Sequence, residues 1–144
     1  MEKLDDTDWK IVSELKRDSR LSSRELAKRT KLSSATINRH IRKMEKRGII
    51  EAYTLTLNYE KLGKETLAYV LVRTKPGADY TSMMKDMMKH EEVEDIGAIA
   101  GEFDIIVKIR VGSIKELDGF VFNYLRKFPD ITQTQTLIVM RGWK

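Results

Sequence analysis

Cysteine is absent from the 144 residues, which excludes a disulfide scaffold and any Cys-ligated zinc or iron–sulfur centre. Histidine occurs only twice, at His40 and His90, and proline only at Pro76 and Pro129. Apolar runs are short, as at Ile105-Ile106-Val107, far below the roughly 20 residues of a membrane span. The start, Met1-Glu2-Lys3-Leu4-Asp5-Asp6, has no apolar core of the kind a secretory signal needs. A cytoplasmic protein with no membrane partner is the expectation. Side-chain amides are scarce (Asn38, Asn58, Asn123, Gln133, Gln135) against 34% charged residues, a lean toward thermostable composition. The length suits one domain or two small ones, since domains run from roughly 50 to 200 residues.

What is present in quantity is charge, and it is unevenly placed. Residues 1–62 hold 15 Lys+Arg against 10 Asp+Glu, a net of +5, while residues 63–144 hold 12 of each. Between 28 and 47 eight basic residues face one acid, Glu45. Such asymmetry fits either a solvated helix face or a polyanion partner for the first half.

The first half reads as three helices. Asp5, Asp6 and Asp8 sit where the positive end of a helix dipole favours acids, and Leu4, Ile11, Val12 and Leu15 share one face. Asp18-Ser19-Arg20 ends that helix. Ser22-x-x-Glu25 is a capping box that opens a short second helix carrying Leu26, Ala27 and Thr30. Ser33 is a good N-cap for a third, from Ser34 to Arg47, which Gly48 terminates. Projected at about 100° per residue, Ile37, Ile41 and Met44 form one stripe and Ala35, Thr36, Arg39, Arg42, Lys43 and Lys46 the opposite one. Asn38 and His40 flank them. A helix buried on one side and cationic on the other suits the major groove of double-stranded DNA, and the short helix and tight turn before it complete a helix-turn-helix.

Roles then follow from side-chain chemistry. Ser33, Ser34 and Thr36 can donate to phosphate or bases, Asn38 can pair bidentately with adenine, and Arg39 can reach guanine O6 and N7. Arg42, Lys43, Lys46 and Arg47 suit phosphates. His40 has no second metal ligand near it in sequence, so no metal site is expected there.

The second half alternates strand and helix signals. Ile49 to Leu57 is rich in β-branched and aromatic residues and reads as one strand in need of a partner, from another element or another subunit. The polar stretch 59–65 is the expected hinge, with a first domain at 1–58 and a second at 66–144. Strands are expected from Leu67 to Val72, Val93 to Ala100, Phe103 to Val111 and Ile131 to Met140. Helices are expected over 80–90 and 115–128. Met83, Met84, Met87 and Met88 fit packing against a sheet better than a soft-metal site. The order β-α-β-β-α-β makes the chain α+β: a helix-turn-helix, winged-helix-like domain followed by a ferredoxin-like domain with both helices on one sheet face. Apolar residues alternate on both sides of the later strands, so subunit association is expected to cover the open face.

At this point the sequence resembles the leucine-responsive/asparagine-regulator (Lrp/AsnC) transcription factors over essentially its whole length. The resemblance rests on Leu4-Asp5-x-x-Asp8-x-x-Ile11, Asp18-Ser19-Arg20, Glu25-Leu26-Ala27, Leu32-Ser33 and Ile37-x-Arg39-x-Ile41-x-x-Met44-Glu45. It continues through Gly48-Ile49-Ile50, Tyr53, Gly101-x-x-Asp104 and Thr134-x-Thr136 before Ile138-Val139-Met140. Asn58-Tyr59 departs from the Asn-Pro of many members, so a less rigid hinge is expected. The resemblance implies a DNA-binding homodimer, often assembled further into tetramers or octamers, that senses an amino acid or related metabolite and needs no cofactor. It also implies an effector site near Ala100, Gly101, Glu102 and Asp104. Gly101 permits close backbone approach, Asp104 can hold an α-ammonium, Thr134 and Thr136 can complete the lining, and Glu102 would favour a basic effector.

Two rival readings stand beside this one. An effector-independent architectural DNA-binding protein would need the same cationic helix. Siroheme decarboxylases look like the same two domains turned to catalysis. Against an enzyme stand the separation of His40 from His90, the lack of a thiol and the zero net charge of the second half.

Overall fold

The computed structural model describes residues 3–140. It divides into two compact units, Met1–Thr56 and Leu57–Lys144.

The first unit holds α1 (Asp6–Arg17), α2 (Ser23–Thr30) and α3 (Ser34–Lys46). Each begins at a side chain that satisfies an orphan amide. Asp5 and Asp8 form a reciprocal capping box on α1, Ser22 and Glu25 another on α2, and Ser33 accepts from the Thr36 amide on α3. Gly48 takes a left-handed φ of 66°, which ends α3 without a Cβ penalty. One residue per helix or two (Ile11, Leu26, Ile37 and Met44) is fully buried, and Leu4, Val12, Leu15, Ala27, Ile41 and Ile50 pack around them. The expected strand from Ile49 to Leu57 is not formed. No described strand pairs with it, so Tyr53, Leu55 and Leu57 stay exposed, and an alternating pattern alone cannot make a ladder.

The second unit has β1 (Thr66–Thr74), α4 (Tyr80–Met87), β2 (Val93–Ala98), β3 (Ile105–Val111), α5 (Ile114–Gly119) and β4 (Ile131–Ile138). The strands form one sheet in the order β2-β3-β1-β4, and every neighbouring pair is antiparallel. This is the ferredoxin-like arrangement expected. Alternation decides the faces: Ala68, Val70, Val72, Ile105, Val107, Ile109 and Val111 are buried with Met83, Met87, Leu117, Phe120 and Leu125. Tyr69, Leu71, Ile106, Lys108 and Arg110 are only half-buried, and Leu137 is exposed.

Several boundaries differ from expectation, and α4 and β4 both stop short of their expected ends, at Met87 and Ile138. β2 ends at Ala98 and β3 starts at Ile105, leaving a loop over 99–104. The helix expected over 115–128 breaks up after α5 into a π-helical turn, Phe120–Tyr124, and a 3-10 turn, Leu125–Lys127. Phe120 and Leu125 are both 2% exposed, yet five residues place them roughly 140° apart on a regular α-helix. The bond from the Leu125 amide to the Phe120 carbonyl brings both to the sheet.

Candidate nucleic-acid interface and effector loop

The outer side of α3 is open. Ser34, Asn38, Arg39, Arg42 and Lys46 are exposed, and Thr36 and Lys43 are half-buried. Among the described residues no carboxylate lies within ion-pair distance of Arg39, Arg42, Lys43 or Lys46. The one acid of the stretch, Glu45, accepts instead from the Tyr53 hydroxyl at 2.9 Å. Burial and then that hydrogen bond push the Tyr53 hydroxyl above its ordinary pKa, so it remains a donor.

Two expected roles change in detail. The Ser33 oxygen already caps α3, accepting from the Thr36 amide at 3.1 Å and lying 2.9 Å from the Thr36 hydroxyl. The Asn38 amide oxygen accepts from the Ser23 hydroxyl at the start of α2. A bidentate adenine contact needs that oxygen, whereas the Asn38 amide nitrogen can still donate.

Sequence reasoning missed the partner of His40. His40 Nδ1 lies 2.7 Å from Oδ1 of Asp8, a carboxylate with no exposed surface, so the fold sets beside His40 a group of metal-ligand type that the sequence around it lacks. Ligand atoms of Asp5, Asp8 and His40 lie within 4.8 Å of one another. Both carboxylates are already committed to each other's backbone amides, and Asp8 to the imidazole. Burial pushes the Asp8 carboxyl up. The hydrogen bond from His40, the Asp5 amide and the charges of His40 and Lys43 outweigh that and hold it below the ordinary value. The arrangement ties α3 to α1 through a buried ionised carboxylate. The two residues are 32 positions apart, and no local spacing signals the pair.

In the second unit, the 99–104 loop closes through the Ile99 amide on the Asp104 carbonyl at 2.8 Å, and Gly101 has φ 146°. Asp104 Oδ2 accepts from the Thr74 amide at 2.7 Å and the Thr74 hydroxyl at 3.0 Å. Arg73 donates to the Glu102 carbonyl at 2.8 Å, pairs with its carboxylate at 2.8 Å and lies over the Phe103 ring. The charge of Glu102 is therefore matched from within, which removes the reason to expect a basic effector. Arg73, Thr74, Lys75, Tyr80, Glu102 and Asp104 line a cleft of about 420 Å³, while Ala100 and Gly101 are exposed beside it. Arg73, Thr74 and Lys75 belong to the site's surroundings but read in sequence only as the end of a strand.

Thr134 and Thr136 lie elsewhere. They pair with Val72 and Val70 across β1, on the side of β1 away from β3, and Thr134 borders a different cleft with Phe122, Arg126 and Pro129. One chain does not bring them together with Asp104.

Residues 4–51 match the winged helix-turn-helix DNA-binding family and residues 67–144 the Lrp/AsnC ligand binding domain. The chain belongs to the Lrp/AsnC family. It is 33% identical over 141 residues to the HTH-type transcriptional regulator FL11 of Pyrococcus abyssi, covering 98% of this chain and 92% of that one. Among solved structures it resembles LrpC of B. subtilis, at 33% identity with a TM-score of 0.87 over 99% of each chain. It also resembles the transcriptional regulator NMB0573 of Neisseria meningitidis in complex with L-Met, at 26% identity and a TM-score of 0.91 over 99% of this chain and 93% of that one. This Lrp/AsnC protein is thus a transcriptional regulator with a DNA-binding and a ligand-binding domain, and not an enzyme. Among the described residues no helix is long and apolar enough to cross a membrane.

Proposed function

We propose that this Lrp/AsnC protein is a sequence-specific regulator that reads double-stranded DNA with the outer side of α3 and responds to an amino acid or related metabolite bound near the 99–104 loop. The observation that carries the DNA half is the row Arg39, Arg42 and Lys46, exposed and, among the described residues, without acidic partners, on a helix anchored by Ile37 and Met44. Arg39 and the Asn38 amide nitrogen face bases, Ser34 and Thr36 support the first turn, and Arg42, Lys43 and Lys46 hold phosphates. The two-fold arrangement of half-sites that such a helix needs comes from a homodimer, closed over the open sheet face with its Tyr69, Leu71 and Leu137. Dimers assemble further into tetramers or octamers, which brings Thr134 and Thr136 of one chain toward the Asp104 loop of another.

The effector half is supported by the cleft at Asp104 and by the L-Met bound to the Neisseria relative. Selection from a randomised duplex pool tests the first half: a recurrent motif with two half-sites is expected, and enrichment of no motif would support the architectural reading instead. A thermal-shift screen of the twenty amino acids tests the second, because a ligand of the folded state raises the melting temperature. A screen with no shift would remove the amino-acid effector.

A further inference from the structure

The polar stretch that reads as a hinge is folded onto the ligand-binding unit. The Leu62 and Lys64 amides donate to the Tyr59 carbonyl at 3.1 and 2.9 Å, the Gly63 amide to the Glu60 carbonyl at 3.0 Å, and the Lys61 amide to the Asn58 side chain at 3.1 Å. Gly63 has φ 66°, the left-handed conformation such a turn requires. This turn is fastened at two points, one on β3 and one just past its end. The Arg110 guanidinium lies 3.7 Å from the centre of the Tyr59 ring, a close cation–π contact. That guanidinium is itself fixed by Glu94 on β2 at 2.5 Å, and Glu94 also holds Lys108 at 2.9 Å. At the other point the Gly63 carbonyl sits so close to Gly112 that a Cβ there would lie 2.6 Å from it. Upstream, Tyr53 is tied to the DNA-binding unit by its hydrogen bond to Glu45 on α3. The linker therefore carries one anchored tyrosine at each end.

We infer that Tyr59 is a positioning residue, clamped by Arg110 and Glu94, that attaches the linker rigidly to the ligand-binding domain and confines the pivot between the two domains to the stretch between Tyr53 and Tyr59. The clamp also gives β3 a second role. The strand follows Asp104 at one end and carries Arg110 at the other, just before Gly112, so a ligand that moves the 99–104 loop acts on the linker through a single strand. The inference does not depend on which ligand binds, or on whether DNA reading is sequence-specific.

The absence of cysteine makes the test direct, since spin labels can be placed on introduced cysteines in the full chain. Glu60→Cys with Lys85→Cys reports on the clamp, and Lys10→Cys with Glu60→Cys reports across the pivot, each diluted into unlabelled protein and measured by pulsed electron resonance. The first pair is expected to give one narrow distance distribution, kept in Tyr59→Phe, which retains the ring, and lost in Tyr59→Ala. The second pair is expected to be the broader of the two in the parent chain. A narrow distribution that survives Tyr59→Ala, a broad first pair in the parent, or equal widths for the two pairs would overturn the inference.

Discussion

The two units of the chain spend their charges differently. In the ligand-binding unit the cations of the sheet and its flanks are paired: Arg73 with Glu102, Lys75 with Asp130, Lys89 with Asp86, and Lys108 and Arg110 with Glu94. On α3, Arg39, Arg42 and Lys46 have no carboxylate at ion-pair distance among the described residues, and the single neighbouring acid is turned to Tyr53. A protein that balances charge internally over one half has left a row of it unbalanced on the other. The difference locates a polyanion surface better than the overall charge of +5, which is too small to distinguish the halves.

The comparison can be broken first at the buried pair in the DNA-binding unit, where His40 on α3 meets Asp8. His40→Leu leaves Asp8 as an uncompensated buried anion, and removing one partner of such a pair costs about 3–5 kcal/mol. Chemical denaturation should show that loss, and Asp8→Asn combined with His40→Leu should recover part of it. The pH dependence follows from the sign of the Asp8 shift. Its folded pKa is depressed, so its stabilisation is present above the unfolded value, near 3.9, and is lost as pH falls through the lower folded value. A melting temperature for Asp8→Asn that responds to acid as the parent does would contradict this.

Next in size come the cations on α3. Arg39→Ala should weaken binding to a selected site by roughly 1–3 kcal/mol and relax base preference at one position. Lys46→Ala should weaken all sequences alike and lower the salt dependence, so equal behaviour in a quantitative gel-shift series would erase the division of roles. Smaller again is Ser23→Ala, which frees the Asn38 oxygen. A change of about 0.5–1.5 kcal/mol in the preference for adenine is expected on comparing paired duplexes. The smallest effect belongs to the charge-balanced half: Lys89→Ala removes an exposed pair with Asp86, and its melting temperature should match the parent's.

The parts of this fold that were legible in the sequence are those set by short-range spacing. Ser22, Ser33 and Gly48 mark helix ends because capping is decided within four residues, and the two-residue period of 105–111 marks a buried strand. The resemblance to the family supplied the pairing of the two domains. What stayed hidden depends on groups that only the fold brings together. Asp8 meets His40 across 32 positions, Ser23 meets Asn38 across 15, and Arg73 reaches Glu102 across 29. The same limit applies to residues 49–57, whose β pattern has no strand beside it among the described residues of the single chain, and to residues 120–127, where packing of Phe120 and Leu125 overrode the α-helical period. It also hid the split of the expected effector residues between two clefts, since Thr134 and Asp104 lie on opposite sides of β1.

The central claim is that the unpaired side of α3 meets the phosphates of a duplex. Its most direct test is the slope of log affinity against log salt concentration for the parent and for Arg42→Ala with Lys46→Ala, both checked for folding by circular dichroism. Each phosphate neutralised contributes a slope of about 0.9, so the double variant should lose nearly 2 per bound subunit and bind more weakly on every sequence. A folded double variant with the parent's slope and affinity would place the DNA contact elsewhere.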